Sequence, residues 1–125
     1  MPKIMVVEDD ADVVRLLQFR LEKEGFEVTT HGDGAAALKV AEVECPDLIL
    51  MDIMMPLMDG IETLRQIKSR RATAKIPVIM LTARADRIAV EETREMGAVE
   101  YIVKPFDPEK LVQRVRKALK MPSEG

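Results

Sequence analysis

The sequence predicts a single α/β domain in which five parallel strands alternate with five helices. Five short apolar runs recur along the 125 residues, and amphipathic segments separate them. Three of the runs, IMVV, LILM and VIML, are continuously apolar, which is typical of central parallel strands covered on both faces. This alternation favours a sheet with right-handed crossovers, and the chain length fits one hydrophobic core.

The first half of the chain contains two strand–helix units and the middle strand. Leu17 and Leu21 lie on one helical stripe, and Gly25 just beyond it is a typical helix stop. Asp33 is a candidate N-cap of the second helix. The predicted segments are strands Lys3–Val7, Phe26–Thr30 and Asp47–Met51 and helices 11–24 and 35–44.

The second half continues the same alternation. Ile61, Leu64 and Ile67 recur at helical spacing after the middle strand. Gly97 closes a weaker fourth helix, and Pro108 is a favoured first-turn residue for the last one. The predicted segments are strands Pro77–Leu81 and Tyr101–Val103 and helices 60–71, 86–96 and 108–120.

Composition and charge exclude several classes of protein. Apolar residues make up 47% of the chain and charged residues 33%, which is typical of a folded globular domain. The net charge is −3 and no basic stripe dominates the sequence, which argues against a nucleic-acid-binding protein. No apolar run is long enough to cross a bilayer. The basic cluster Lys68, Arg70 and Arg71 is expected to be a solvated helix end. The single cysteine, Cys45, is expected to be a small buried hydrophobe and favours a reducing cytoplasm.

Five chemically active side chains are expected at one edge of the sheet. Glu8 and Asp9 directly follow the first predicted strand, Asp52 the third, Thr82 the fourth and Lys104 the fifth. The carboxyl ends of parallel strands form the edge at which open α/β sheets bind ligands. If these strands are neighbours, the five side chains meet in one small site.

Carboxylates that converge in this way need a cation, because they repel one another when ionised. Oxygen ligands without His or Cys select a hard ion, and a few carboxylates beside a phosphate and water favour Mg²⁺ over Ca²⁺, although Mn²⁺ could substitute. A carboxylate can also attack phosphorus, and phosphoryl transfer depends mainly on positioning and charge neutralisation. Asp10 is expected to cap the first helix rather than to bind the ion.

Four stretches of the sequence together resemble the receiver domains of two-component response regulators. They are VVEDD at 6–10, LILMDIMMPLMDG at 48–60, VIMLTA at 78–83 and YIVKPF at 101–106. Their order and spacing make the resemblance specific over essentially the whole chain. It implies a flavodoxin-like (βα)₅ fold with strand order 2-1-3-4-5 and helices on both faces. Residues 1–121 would form the receiver domain and 122–125 a tail or the start of a linker.

The resemblance also assigns a metal site. It implies that Asp52 is the phosphoacceptor and that Asp52, Asp9 and the carbonyl of Met54 bind Mg²⁺ directly. Glu8 would act on the ion through water. Glu8 departs from the commonest pattern, which has Asp at this position, and its longer side chain has a longer reach.

The remaining site residues would contact the phosphoryl group and change conformation with it. The resemblance implies that Lys104 contacts the phosphoryl group and is followed by a cis bond to Pro105. Thr82 and Tyr101 are similar to a switch pair, in which the hydroxyl moves to the phosphate and the ring turns inward behind it.

The function implied by the resemblance is a signalling switch in the cytoplasm. A sensor histidine kinase or a phosphotransfer protein would donate the phosphoryl group, and a downstream effector domain or protein would read the altered surface. Direct binding of nucleic acid and membrane insertion by this chain are not expected. Val99 and Glu100 stand where many receivers of DNA-binding regulators have two acidic residues, so a phosphorylation-dependent homodimer stays open.

Three other functions compete with this interpretation. A phosphatase with an aspartate nucleophile commonly uses a second acid two residues on, where this chain has Met54. We therefore expect no true enzyme but slow autodephosphorylation, with Met54 and Arg84 hindering the attacking water. A pseudo-receiver would lack Asp52, Asp9 or Lys104, and all three are present. A flavin-binding protein of this fold would need glycines, not acids, in the first strand–helix turn.

Overall fold

Five parallel strands form the sheet that the sequence predicts. The computed structural model describes residues 1–55, 59–83 and 87–121. The strands are β1 (Lys3–Val7), β2 (Glu27–His31), β3 (Leu48–Asp52), β4 (Val78–Thr82) and β5 (Glu100–Val103). They pair in the order β2-β1-β3-β4-β5, so the predicted fold class and strand order are confirmed. The tail at 122–125 lies outside the described residues.

Five helices connect the strands, and within the described residues aspartates cap four of them. The helices are α1 (Ala11–Lys23), α2 (Gly34–Glu44), α3 (Gly60–Ser69), α4 (Arg87–Glu95) and α5 (Pro108–Ala118). Asp10, Asp33, Asp59 and Asp107 accept hydrogen bonds from first-turn N–H groups, which would otherwise lack partners. The predicted caps Asp10 and Asp33 and the first-turn position of Pro108 are confirmed. In the described ranges no helix has the length and apolarity to cross a membrane.

The core consists of two layers, one on each face of the sheet. Met5 and Val7 of β1 pack in the layer that contains residues of α2 and α3. Ile4 and Val6 pack in the layer of α1 and α5. All four are fully buried, because helices cover both faces. Full burial of such a side chain stabilises the fold by ~1.5–3 kcal/mol, which explains the continuously apolar strands of the sequence.

The register of the strands aligns their carboxyl ends. Val7 of β1 pairs with Met51 of β3, so the next residues, Glu8 and Asp52, stand level with each other. On the other side of β3, Asp52 pairs with Leu81. The prediction that Asp52 directly follows its strand is therefore wrong by one residue. Thr82, predicted in the same way, is also the last residue of its strand, because both residues extend the parallel ladder.

Two predictions about surface residues are wrong. Cys45 is exposed, because it ends α2 in a left-handed backbone conformation (φ 47°) that lies outside the core. Lys68 is half-buried rather than solvated, and its Nζ donates to the carbonyls of Ala74 (3.1 Å) and Ile76 (2.7 Å). Arg70 from the same basic cluster forms an ion pair with α2.

Candidate functional site

Three charged groups meet at the carboxyl edge of the sheet. Glu8 follows β1, Asp52 ends β3 and Lys104 follows β5. The Nζ atom of Lys104 lies 2.5 Å from Oε1 of Glu8 and 3.2 Å from Oδ2 of Asp52. Glu8 and Asp52 are only 2% and 4% exposed. Buried carboxylates are costly without a partner, so the ammonium of Lys104 is what allows both to lie here.

The protonation equilibria of this group are displaced by its burial. The pKa of Glu8 is raised to about 7, mainly by loss of water and also by the neighbouring Asp52, although the hydrogen bond from Lys104 acts in the opposite direction. Burial alone would lower the pKa of Lys104, but the hydrogen bond to Glu8 and the charges of Asp52 and Glu8 raise it overall. The lysine is therefore cationic at neutral pH, and the site carries one positive charge between its acids.

The same edge also has the ligands for a metal ion. Carboxylate oxygens of Glu8, Asp9 and Asp52 lie within 4.8 Å of one another. Asp9 is exposed at the rim, whereas the other two are buried. A donor set made only of oxygens fits a hard divalent cation such as Mg²⁺. The chemistry of these residues thus fits the metal that the sequence predicts.

Main-chain groups hold the two buried carboxylates in place. The N–H of Asp10 donates to Oε2 of Glu8 (3.1 Å), and the N–H of Met54 donates to Oδ1 of Asp52 (3.3 Å). The side chain of Met54 is 63% exposed beside the site. Arg84, which we expected to lie opposite Met54, is outside the described residues.

The predicted switch residues lie on β4 and β5, the two strands on one side of β3. Thr82 ends β4 and is fully buried, and its carbonyl accepts a hydrogen bond from the N–H of Lys104 (2.8 Å). Tyr101 of β5 is half-buried and packs against the layer of α2 and α3. The Lys104–Pro105 bond is cis, as the resemblance implies. The backbone of Thr82 thus contacts that of Lys104, and Tyr101 lies on the strand that leads into Lys104. The coupled motion of Thr82 and Tyr101 stays a prediction.

One interaction of the site has no signal in the sequence. The resemblance directs Lys104 toward a phosphoryl group, whereas the structure bonds its ammonium to Glu8 more closely than to Asp52. Glu8 and Lys104 are 96 positions apart. Only the strand order, which places β1 and β5 on opposite sides of the β3–β4 pair, brings them within reach across the sheet edge.

Comparisons with known proteins point to one family. Residues 4–116 match the response regulator receiver domain. The chain is 42% identical over 118 residues to the alkaline phosphatase synthesis transcriptional regulatory protein PhoP of Bacillus subtilis, and 43% identical to the DNA-binding response regulator MtrA of Mycobacterium tuberculosis. The matches cover 94% of this chain but 48% and 50% of those proteins. The chain therefore spans about half the length of these curated relatives.

A solved structure with the same fold carries a metal at its site. The receiver domain of the sensor histidine kinase PA1611 from Pseudomonas aeruginosa is 30% identical and superposes with a TM-score of 0.88. The match covers 95% of this chain and 98% of that one. That structure has a magnesium ion coordinated in its active-site cleft.

Proposed function

This chain belongs to the response regulator receiver domain family, and we propose that it accepts a phosphoryl group on Asp52 in a Mg²⁺-dependent reaction. The observation that carries the proposal is the position of Asp52. Its carboxylate is buried at a ligand-binding sheet edge, 3.2 Å from a lysine ammonium and beside two further acids. A buried carboxylate in this setting is a candidate nucleophile.

In the proposed reaction, an oxygen of Asp52 forms a bond to phosphorus as the bond from phosphorus to the donor atom breaks. With a phosphohistidine donor, the released imidazole nitrogen takes a proton from solvent. Lys104 is placed to hold the negative charge of the phosphoryl oxygens, because its Nζ is already 3.2 Å from Asp52. Its raised pKa keeps it charged for this role.

The residues that would hold Mg²⁺ are Asp9, Asp52 and the carbonyl of Met54, with Glu8 acting through water. When bound, the ion neutralises charge on the phosphoryl oxygens. Supporting this set, the oxygens of the three acids lie within 4.8 Å. Since the ligands are all hard oxygen donors, Mn²⁺ is expected to substitute for Mg²⁺.

We further propose the partners and the output. A sensor histidine kinase or a phosphotransfer protein supplies the phosphoryl group in the cytoplasm, and Thr82 and Tyr101 pass the change to a partner or effector domain. The curated relatives are transcriptional or DNA-binding regulators, which supports an output at the level of transcription. Val99 is exposed, and Glu100 forms an ion pair with Arg114 of α5 (2.9 Å). Val99 and Glu100 stand at the positions of the two acids common in receivers of DNA-binding regulators, so a phosphorylation-dependent homodimer stays open.

We also propose that the chain is no phosphatase and holds its phosphoaspartate for long periods. Met54 supports this, because its side chain is apolar, exposed beside Asp52 and unable to move a proton for an attacking water. Met54→Asn is expected to shorten the lifetime of phospho-Asp52, measured by intact mass after removal of the donor. Val43→Asn, another exposed apolar position, is the control. An unchanged lifetime in Met54→Asn would contradict the shielding role of this side chain.

The test of the proposed function is incubation with acetyl phosphate and Mg²⁺, read by intact mass. We expect a gain of one phosphoryl group that disappears with EDTA and in Asp52→Ala. Asp47→Ala, an exposed aspartate on the opposite edge of the sheet, should behave as the wild type. If the chain accepts a phosphoryl group only from its kinase, acetyl phosphate will not react. A titration with beryllofluoride, monitored by the fluorescence of the single tyrosine, Tyr101, then tests the site without a kinase. A chain that responds to neither reagent would be a pseudo-receiver.

A further inference from the structure

The first residue of α3, Gly60, lies against the main chain of Asp52 and Ile53. A Cβ atom on Gly60 would lie 2.1 Å from the carbonyl oxygen of Asp52 and 2.7 Å from Cα of Ile53. Real Cβ atoms essentially never come within 3.0 Å of such neighbours, so no residue other than glycine fits without a shift of the backbone. At Gly32, by contrast, the same atom would meet nothing within 4 Å.

Hydrogen bonds fix this approach on both sides. The N–H of Gly60 donates to the carbonyl of Ile53 (2.8 Å), the residue directly after the phosphoacceptor. The side chain of Asp59 accepts from the N–H of Glu62 (2.9 Å), and the hydroxyl of Thr63 donates to the carbonyl of Asp59 (2.9 Å). The start of α3 and the peptide that follows β3 are therefore held as one unit.

We infer that Gly60 is a positioning residue for phosphoryl transfer to Asp52, an inference that rests on the proposed function. Gly60 acts through the main chain and touches neither the phosphoryl group nor the cation. By letting α3 lie against the Asp52–Ile53 peptide, it sets the Asp52 carboxylate at 3.2 Å from Lys104. It also sets the path of the chain into Met54, whose carbonyl we assign to the metal.

The expected effect follows from how far the backbone must move. An added methyl at Gly60 would lie 2.1 Å from the carbonyl oxygen of Asp52, whereas ordinary contacts begin at 3.4 Å, so the backbone must move by about 1.3 Å. Misplacement by about 1 Å can cost ~10²-fold in a reaction that relies on positioning. For Gly60→Ala we expect weaker Mg²⁺ binding and a phosphorylation rate at saturating Mg²⁺ that falls about 10- to 100-fold. Gly32→Ala, the matched control, should leave both quantities unchanged.

The experiment measures three quantities on the same samples. Circular dichroism reports whether each variant is folded, and Tyr101 fluorescence reports the Kd for Mg²⁺ alone. Intact mass reports the rate of phosphorylation by acetyl phosphate. A residue that merely supports the fold would lower the melting temperature without changing the Kd or the rate of the folded protein.

A second pair of variants tests the positioning role of the start of α3 if Gly60→Ala does not fold. Asp59→Ala removes the cap of α3, and Asp33→Ala removes the equivalent cap of α2, where the N–H of Ala36 is the donor (2.8 Å). Both lose a similar hydrogen bond, but only α3 begins against Asp52. We expect weaker Mg²⁺ binding and slower phosphorylation in Asp59→Ala alone.

The outcomes separate this inference from the function on which it rests. A wild type that binds no Mg²⁺ and accepts no phosphoryl group or beryllofluoride would overturn the proposed function, and the inference with it. A responsive wild type with a folded but unchanged Gly60→Ala would overturn only the positioning role. Equal losses in Asp59→Ala and Asp33→Ala would do the same.

Discussion

Two lysines at opposite edges of the sheet are partly buried, yet their environments act on them in opposite directions. Lys104 lies at the carboxyl edge, where buried Glu8 and Asp52 accept its hydrogen bonds, and its pKa is raised. Lys68 lies at the other edge, at the end of α3. It donates to the neutral carbonyls of Ala74 and Ile76, and burial lowers its pKa.

The difference shows what a buried cation needs in order to stay charged. Main-chain carbonyls satisfy the N–H groups of Lys68, but their dipoles do not offset the loss of water. For Lys104, hydrogen bonds to the carboxyl groups of Glu8 and Asp52 and the attraction of their charge do offset it. The hydrogen bonds of Lys68 to main-chain carbonyls join α3 to the loop before β4. The hydrogen bonds of Lys104 to two carboxylates concentrate charge where a phosphoryl group would bind. We therefore expect Lys68 to have a structural role, and the proposed role in phosphoryl transfer falls to Lys104.

The largest effect expected from this comparison is on the rate of phosphorylation. Lys104→Met should slow the reaction of acetyl phosphate with Asp52 by about 10²- to 10³-fold, because it removes a preorganised cation from the transition state. Lys68→Met should change the rate by less than about twofold, because Lys68 lies at the opposite edge of the sheet and bonds only main-chain carbonyls there. Phosphorylation rates of both variants are measured by intact mass at saturating Mg²⁺. A similar loss of rate in the two variants would contradict the different roles of the two lysines.

A smaller effect is expected on metal binding. Glu8→Gln keeps the shape of the side chain but removes a negative charge from the group of three acids, so the Kd for Mg²⁺ should rise about 10-fold or more. A fluorescence titration of Tyr101 measures it, with Glu27→Gln on an exposed strand position as the control. If Glu8→Gln bound Mg²⁺ as tightly as the wild type, Glu8 would have no part in the site.

The effect on stability should be largest at the other lysine. Lys68→Met leaves the carbonyls of Ala74 and Ile76 without their donor, which should lower the free energy of unfolding by about 1–3 kcal/mol. Lys75→Met, an exposed lysine in the same loop, should be neutral. Urea denaturation compares the two, and equal stabilities would mean that the buried ammonium contributes nothing net.

The smallest effect is a pH dependence with a defined sign. The unfolded chain holds the Lys68 proton up to its ordinary pKa of 10.5, whereas the folded chain releases it at lower pH. The free energy of unfolding should therefore rise with pH between the lowered pKa and 10.5, and Lys68→Met should lack this increment. The difference between wild type and variant across that window, measured by urea denaturation, tests it. A difference that is flat or falls with pH would contradict the lowered pKa.

The sequence alone determined the order and type of the elements and the residues at the site. Continuous apolar runs encoded the buried strands, and capping residues such as Asp10 and Asp33 marked the helix starts, because these signals depend on neighbours along the chain. The resemblance of four stretches to receiver domains added the strand order, and the roles that it implies for Asp52 and Lys104 stay predictions. β3 and β4 each end one residue later than predicted, because pairing with the neighbouring strand continues through Asp52 and Thr82.

Only the tertiary structure decided which of these groups touch. The bond between Lys104 and Glu8 spans 96 positions, and the burial of Lys68 depends on the path of a loop. Only the packing of α3 on Asp52 shows why a side chain cannot be added at Gly60. The physical reason is that local patterns report burial and backbone conformation, whereas distances between remote side chains are set by strand register and helix packing.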